Sequence, residues 1–361
     1  MDASDERAVG SCKSDLECSL NGVCTAGTCV CVKPWGGASC GVLQYATTPR
    51  SGHSIFDQNF THNTWNGPIV GPVDGKYHAF IPLYGNFTGI KSLFRVMYIM
   101  HGLSDAIAGP YSWFKEPTLP GGINPAFLTY TNSTTKKPTY SLWDGDIRIA
   151  DSPAMHNFTS LGRHQGGCGG NPAPARAKNG TFYCVSQHTR ELVSATKLGE
   201  WSYVSDINLT LSNGSTVSYA SAFANVEDPF LWIDLRGNFH ILNHRFVQSE
   251  TTHCHSSTIS AHVFSPDGQH WHALEPAVQP YGHTVQYDDG SNFSFTTLER
   301  PNAHFDERGV MTHINFAADL TTPDAGCNDN VEAGHTGKAR SCAECKFYRH
   351  CGTTVVALDV E

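Results

Sequence analysis

The chain has 361 residues, 24 Lys+Arg against 33 Asp+Glu, a net charge of −9, and 16% charged against 40% hydrophobic residues. This balance supports a sizeable core and excludes a disordered or coiled-coil chain. The acidic surplus without any basic run argues against a nucleic-acid partner, and no run of 18 apolar residues is available for a helical membrane span.

Residues 1–10 read as an N-terminal tail. They carry neither the basic stretch nor the apolar stretch of a secretory leader, so a signal peptide is expected to be absent from this numbering. Six of the 13 cysteines then follow in close succession: Cys12, Cys18, Cys24, Cys29, Cys31 and Cys40. So short a segment cannot bury enough apolar surface to hold itself, and reads as a disulfide scaffold. Spacing alone leaves the connectivity open among roughly 15 pairings. Asn-x-Ser/Thr sequons at Asn59, Asn86, Asn132, Asn157, Asn179, Asn208, Asn213 and Asn292 are an independent sign of export, and predict a glycoprotein. Together they place the chain outside the cell.

Cys29-Val30-Cys31 followed by Trp35, Gly37 and Cys40 resembles an epidermal-growth-factor-like (EGF-like) module over residues 11–42. The resemblance implies the pairs Cys12–Cys24, Cys18–Cys29 and Cys31–Cys40. It also implies a spacer or protein-contact role. Asp5 and Glu6 lie too far upstream for the calcium-binding version of the module.

Beyond residue 43 no long 3.6-residue period is visible. Short runs rich in Phe, Tyr, Val and Ile are broken by Gly, Pro, Asn and Asp, which is an all-β signature. A repeat emerges: a Pro, an apolar strand, a turn with Asp and Gly, and a second strand. Its copies begin at Asn66-Gly67-Pro68, Asn124-Pro125, Asp228-Pro229 and Glu299-Arg300-Pro301. The turns Asp234-x-Arg236-Gly237 and Asp306-x-Arg308-Gly309 are close parallels. The stretch from Gly162 to Gly180 reads as a surface insertion closed by a Cys168–Cys184 bridge. Thr353 to Val360 is expected to close the ring. Seven cysteines in this part leave one thiol over; Cys254, Cys327, Cys342, Cys345 and Cys351 cannot be paired from sequence. Cys342-x-x-Cys345 with His350 and Cys351 invites a zinc reading, but disulfides suit an oxidising compartment better. The expected fold is all-β: a β-propeller over residues 43–361 behind the small disulfide-rich segment.

The Pro-led strands and Asp-Gly turns resemble the five-bladed propellers of glycoside hydrolase family 43 and its relatives, including secreted eukaryotic proteins with Glu-Asp-Pro-Phe where this chain has Glu227 to Phe230. The resemblance implies inverting cleavage of a glycosidic bond, with an acid and a base about 6.5–9.5 Å apart. It puts an acid-tuning Asp on the third blade, matched to Asp228, and a general-acid Glu on the fourth, matched to Glu299. The base expected on the first blade falls on Gly67, which offers no proton acceptor; Asp57, Asp74 and Asp105 are the substitutes to weigh. Trp65, Trp143 and Trp232 are candidates for stacking on sugar rings, against a plain core role. Glu227 neighbours Asp228, strand alternation points it the other way, and it reads as structural. His78, His240 and His313 recur at similar places and read as packing rather than as metal ligands. No cofactor and no metal are called for. Two functions stand: a secreted propeller that binds, or binds and hydrolyses, a glycan; or a catalytically silent extracellular structural, adhesion or filament-forming glycoprotein, or a lectin. Partners would be a glycan, or an extracellular protein or second copy met through the N-terminal module and the unpaired cysteine.

Overall fold

A computed structural model describes residues 11–56, 64–84, 97–120, 124–152, 154–163, 168–210, 215–223, 226–246, 258–273, 278–320 and 351–360. Five antiparallel sheets follow one another along the chain as blades of a propeller. Blade one is Ile69–Val73, Lys76–Tyr84, Met97–Ser104 and Ser112–Trp113, with Leu119–Pro120 also on its third strand. Blade two is Ala126–Thr131, Pro138–Trp143, Asp146–Ala150 and Thr159–Arg163. Blade three is Ala173–Arg176, Phe182–Val185, Glu191–Ala195 and Ser202–Asp206. Blade four is Val226–Ile233, Phe239–Phe246, Thr258–Ser265 and His272–Ala273. Blade five is Leu298–Phe305, Met311–Asp319 and Cys351–Ala357.

The β-branched and aromatic runs form these strands because their side chains fill the space between stacked sheets. Ile81, Leu142, Ile241, Val263, Phe316 and Val355 are all fully buried. The first turn in blades four and five is set by an aspartate. Asp234 Oδ1 accepts the N–H groups of Arg236 and Asn238, both at 2.8 Å. Asp306 Oδ1 accepts those of Arg308 at 2.9 Å and Val310 at 2.8 Å. The glycines that follow the Arg have φ of 93° and 74°, a region open to glycine but not to a β-branched residue. This is the physical content of the two Asp-x-Arg-Gly copies.

The ring closes with chain from both sides. Ala46 N–H donates to Ala357 O at 3.0 Å, and Asp359 N–H to Gln44 O at 2.9 Å, so residues 44–46 lie along the outer edge of blade five. An open edge is covered this way.

One expectation needs correcting. Gly162 to Gly180 is not a surface insertion: it contains Ala173–Arg176, the inner strand of blade three, led by Asn171-Pro172. The unit at Asp228 therefore heads blade four, and the unit at Glu299 heads blade five. The Cys168–Cys184 bridge ties the entry of blade three to its second strand.

Residues 11–43 carry the bridges Cys12–Cys24, Cys18–Cys29 and Cys31–Cys40, the pairing implied by the resemblance. The segment docks on the face of the propeller where the first and second strands of each blade turn. Arg236 is its anchor: the guanidinium donates to Leu20 O, to Gly22 O at 3.1 Å and to Asp15 Oδ2 at 3.3 Å. Trp35 stacks on His262 with centroids 5.2 Å apart. Of the sequon asparagines, Asn157, Asn179 and Asn292 are exposed and Asn132 and Asn208 half-buried; Asn59, Asn86 and Asn213 lie outside the described residues. So do Cys254, Cys327, Cys342 and Cys345, the side chain of Cys351, and Asp57. Among the described residues no helix is long and apolar enough to cross a membrane.

Candidate functional site

Each inner strand starts at the same face, opposite the docked N-terminal segment, with a residue immediately before a proline. These residues are Gly67, Asn124, Asn171, Asp228 and Arg300. Four of them have positive φ: Asn124 59°, Asn171 50°, Asp228 52° and Arg300 51°. Asn and Asp tolerate this region better than most residues; Arg does not, and held positions of this kind cost about 1–3 kcal/mol each. The common distortion aims four side chains across the axis.

There they join. Asn124 Nδ2 donates to Asn171 Oδ1 at 2.6 Å, Asn171 Nδ2 donates to Asp228 Oδ1 at 2.5 Å, and Arg300 donates to the same oxygen at 3.3 Å. Blade one joins through Asn66, whose Nδ2 donates to Arg300 O at 2.6 Å and to Asn315 O at 3.0 Å. Asn315 Nδ2 returns a bond to Asn66 Oδ1 at 2.6 Å. All five blades are thus linked in series around the axis. The donors converge on Asp228, as suits a carboxylate that only accepts. Asp228 and Arg300 are each 5% exposed, so theirs is a buried ion pair.

The remaining predicted residues fall as follows. Glu299 is 0% exposed, one residue before Arg300, and does not line the axial pocket. Its Oε2 lies 3.8 Å from His244 Nε2, while His244 Nδ1 lies 4.0 Å from Asp228 Oδ2. His244 therefore stands between the two carboxylates. Its Nδ1 accepts the Arg300 N–H at 3.2 Å, which leaves Nε2 as the protonated nitrogen facing Glu299. The structure brings Asp228 and Glu299 to one histidine, but of the two only Asp228 lines the pocket. Simple alternation was expected to turn Glu227 away; the positive φ at Asp228 breaks it. The ligand atoms of Glu227, Asp228 and His244 all lie within 4.8 Å of one another. With Arg300 already on Asp228, this set has a cation of its own.

The pocket among Asp228, Arg300 and the prolines of blades two to five has a volume of ≈ 20 Å³. That is room for about one water and far short of the roughly 300–1,000 Å³ of small-molecule sites. At Gly67 an added Cβ would lie 1.9 Å from Phe80 O. Asp74 and Asp105 are exposed on the other face, and Asp105 pairs with Lys76 at 2.5 Å. Trp143 is fully buried with its Nε1 donating to Ser141 Oγ at 3.0 Å, and Trp65 is 4% exposed; neither presents a ring to the pocket. Trp232 lines a different cleft, beside the N-terminal segment. Asn171 and Arg300 were missed; the Asn-Pro dipeptide shared with Asn124-Pro125 was the available signal for the first.

The recurring histidines pair within blades. His78 Nδ1 meets His101 Nε2 at 2.9 Å, and His240 Nδ1 meets His262 Nε2 at 3.2 Å. Burial, and then repulsion from His78 and His156, pushes His101 down to about 3. Burial pushes His313 down to about 4, with His304 adding to it. These groups are neutral in the fold and protonate in the unfolded chain near 6.5, so their contribution is complete above that pH. It is lost as pH falls from 6.5 towards 3–4, at up to about 1.4 kcal/mol per pH unit for each histidine. Melting temperature is expected to fall steadily between pH 7 and pH 4.5, and His101→Phe to flatten that slope; a pH-independent melt would refute this.

No family model and no curated protein matches the chain. Solved structures do. The catalytic domain of a Coprinopsis cinerea GH62 α-L-arabinofuranosidase superposes with a TM-score of 0.55 at 11% identity, covering 88% of this chain and 98% of that one. A Podospora anserina α-L-arabinofuranosidase, solved with cellotriose, gives 0.55 at 12% identity with the same coverage, 88% and 98%. The chain shares the five-bladed propeller of these glycosidases.

Proposed function

We propose that the chain is an extracellular, disulfide-bonded propeller that binds a partner without hydrolysing glycosides. In this reading residues 11–42 form a module fixed to the propeller, and the ring of pre-proline residues is a structural clasp. The observation that carries it is the state of Asp228, bound by Asn171 and Arg300 in a space of ≈ 20 Å³. A carboxylate so engaged has no room for a sugar ring beside it. Glu299, fully buried behind Arg300, has no path to a glycosidic oxygen, and a general acid must come within hydrogen-bond reach of its target. Gly67 supplies no base. Among the described residues, four disulfides and sequons at half-buried or exposed positions suit an oxidising, glycosylating route of export.

Incubation with arabinan, xylan and galactan fragments is expected to release no sugar above background, equally for wild type, Asp228→Asn and Glu299→Gln. Turnover by wild type that disappears in either variant would establish hydrolysis instead.

A further inference from the structure

The histidine pairs of blades one and four are the same arrangement under different covers. His78 and His240 stand two residues before Phe80 and Leu242 on the second strands, and Phe80 and Leu242 face His101 and His262 on the third. In blade one, His101 lies against Phe80, Phe114 and His156, all of the propeller. In blade four, His262 lies against Trp232, His240 and Phe264 of its own sheet, and against Trp35 of the N-terminal segment, whose ring stacks on it with centroids 5.2 Å apart. His262 is 2% exposed beneath this cover. The protons of the pair can be assigned. His240 Nε2 lies 3.6 Å from Asp234 Oδ2, which keeps a proton on that nitrogen and leaves Nδ1 to accept from His262 Nε2 at 3.2 Å. His262 Nδ1 is then a buried lone pair with no donor among the described residues. Burial, and then repulsion from His240, hold His262 well below the usual histidine range. The charges around the pair are already matched. Arg236 takes Asp234 of its own turn and Asp15 of the segment, Lys33 of the segment takes Asp359, and Arg308 of blade five takes Asp306. His272, on the fourth strand, stacks on Phe264.

We propose that the docked N-terminal segment is an acid-released strap: Trp35 seals His262 in its neutral form, and in acid the segment swings off the propeller as His262 Nδ1 takes up a proton. Release lets water reach that nitrogen, and a hydrated imidazole titrates near its ordinary 6.5. Docking is therefore complete above pH 6.5 and is lost as pH falls below it. For one histidine the docking equilibrium changes by about tenfold per pH unit, or about thirtyfold between pH 7.5 and pH 5. Residues 44–46 keep their own bonds to the blade-five edge, so the released segment stays tethered. The blade-one pair, covered by the propeller itself, takes up protons only when the propeller opens. The strap concerns a contact separate from the axial clasp and stands whether or not that clasp is silent.

The test is amide hydrogen exchange of the full chain at pH 7.5 and pH 5, corrected for the intrinsic pH dependence of exchange. Leu43 N–H donates across the interface to Pro280 O at 2.7 Å, so its protection reports docking, while the paired amides of Tyr140 to Trp143 in blade two report the propeller. Protection at Leu43 is expected to fall about thirtyfold from pH 7.5 to pH 5, and at pH 5 to lie about tenfold or more below that of blade two, the mark of release without unfolding. His262→Phe, which keeps a ring under Trp35 without the titrating lone pair, is expected to cut the fall to about threefold or less. Unchanged protection at Leu43, or protection no lower than that of blade two at pH 5, would overturn the proposal, and this comparison within wild type decides even if the variant fails to fold. A fall in His262→Phe as large as in wild type would also overturn it, and would assign the acid response to the Asp15–Arg236 and Lys33–Asp359 pairs.

Discussion

Gly67→Asp, the substitution that would place a carboxylate at the head of the first inner strand, is expected to yield a severely destabilised chain and no hydrolytic activity. A Cβ at this position would sit 1.9 Å from Phe80 O and 3.2 Å from Pro82 Cδ. The first of these is backbone on the neighbouring strand. It cannot rotate away, and Phe80 N–H donates back to Pro68 O at 3.0 Å, locking the two strands together at this point. Relief requires separating the inner hairpin of blade one, where Phe80 and Ile81 are fully buried. Gly67 O also accepts from Asn315 Nδ2 at 2.9 Å, so the shift would pull on blade five as well. A loss on the order of 4 kcal/mol or more is expected, in the exceptional range for one substitution and a large share of the 5–15 kcal/mol that holds a domain. Gly67→Ala should lose nearly as much, because the conflict begins at Cβ and not at the charge. Urea unfolding of the pair measures both. A Gly67→Asp chain that unfolds at the wild-type midpoint, or that begins to cleave a glycan, would refute the argument. If it holds, the backbone itself bars a carboxylate from this position, and no change at this residue alone supplies one.

How far the sequence disclosed this depends on the kind of signal each element carries. The Asp-x-Arg-Gly turns were legible because their aspartates bond their own backbone, a local interaction that fixes residue types at fixed offsets. The three N-terminal bridges were legible once the cysteine spacing had been matched to a known module. Blade three was not, and became an insertion, because its first two strands, Ala173–Arg176 and Phe182–Val185, are four residues each and its inner strand is Ala/Pro rather than β-branched. Its burial comes from neighbouring blades, which no local pattern records. Glu299 was matched, through the resemblance, to a general acid at the head of the Glu-Arg-Pro copy of the repeat. The clasp shows that the position immediately before the proline is what faces the axis, so Arg300, not Glu299, is the counterpart of Asp228. The orientation of Glu227 was misread for a related reason: strand alternation presumes extended backbone, and the positive φ at Asp228 suspends it. The tryptophans illustrate a different limit. Trp143 and Trp232 occupy similar aromatic-rich strands, yet one is sealed in the core and the other lines a cleft that exists only because the N-terminal segment docks there.

Arg300→Met should cost about 3–5 kcal/mol, the largest effect expected from any change that leaves the backbone room unaltered. The guanidinium is the cation facing Asp228 within 3.3 Å, and both residues are 5% exposed. Removing it leaves a carboxylate in the interior without its counter-charge, while Asn171 still donates to it. Asp228→Asn is expected to cost less, about 1–3 kcal/mol, because an amide keeps an acceptor for Asn171 while the Arg loses its ionic partner. The double variant tells the two apart from generic damage. With both charges gone, neither is stranded, so its loss should fall clearly below the sum of the singles, a coupling of order 1–3 kcal/mol between residues in direct contact. Strict additivity, or a neutral Arg300→Met, would sink the clasp. A reaction centre predicts another signature. Catalytic carboxylates are held in surroundings that disfavour the fold, so neutralising one tends to raise stability while abolishing turnover. A fall in stability at Asp228→Asn, strongest when Arg300 is intact, is what a clasp requires, since only then does the substitution strand a buried cation at the point where the five blades meet.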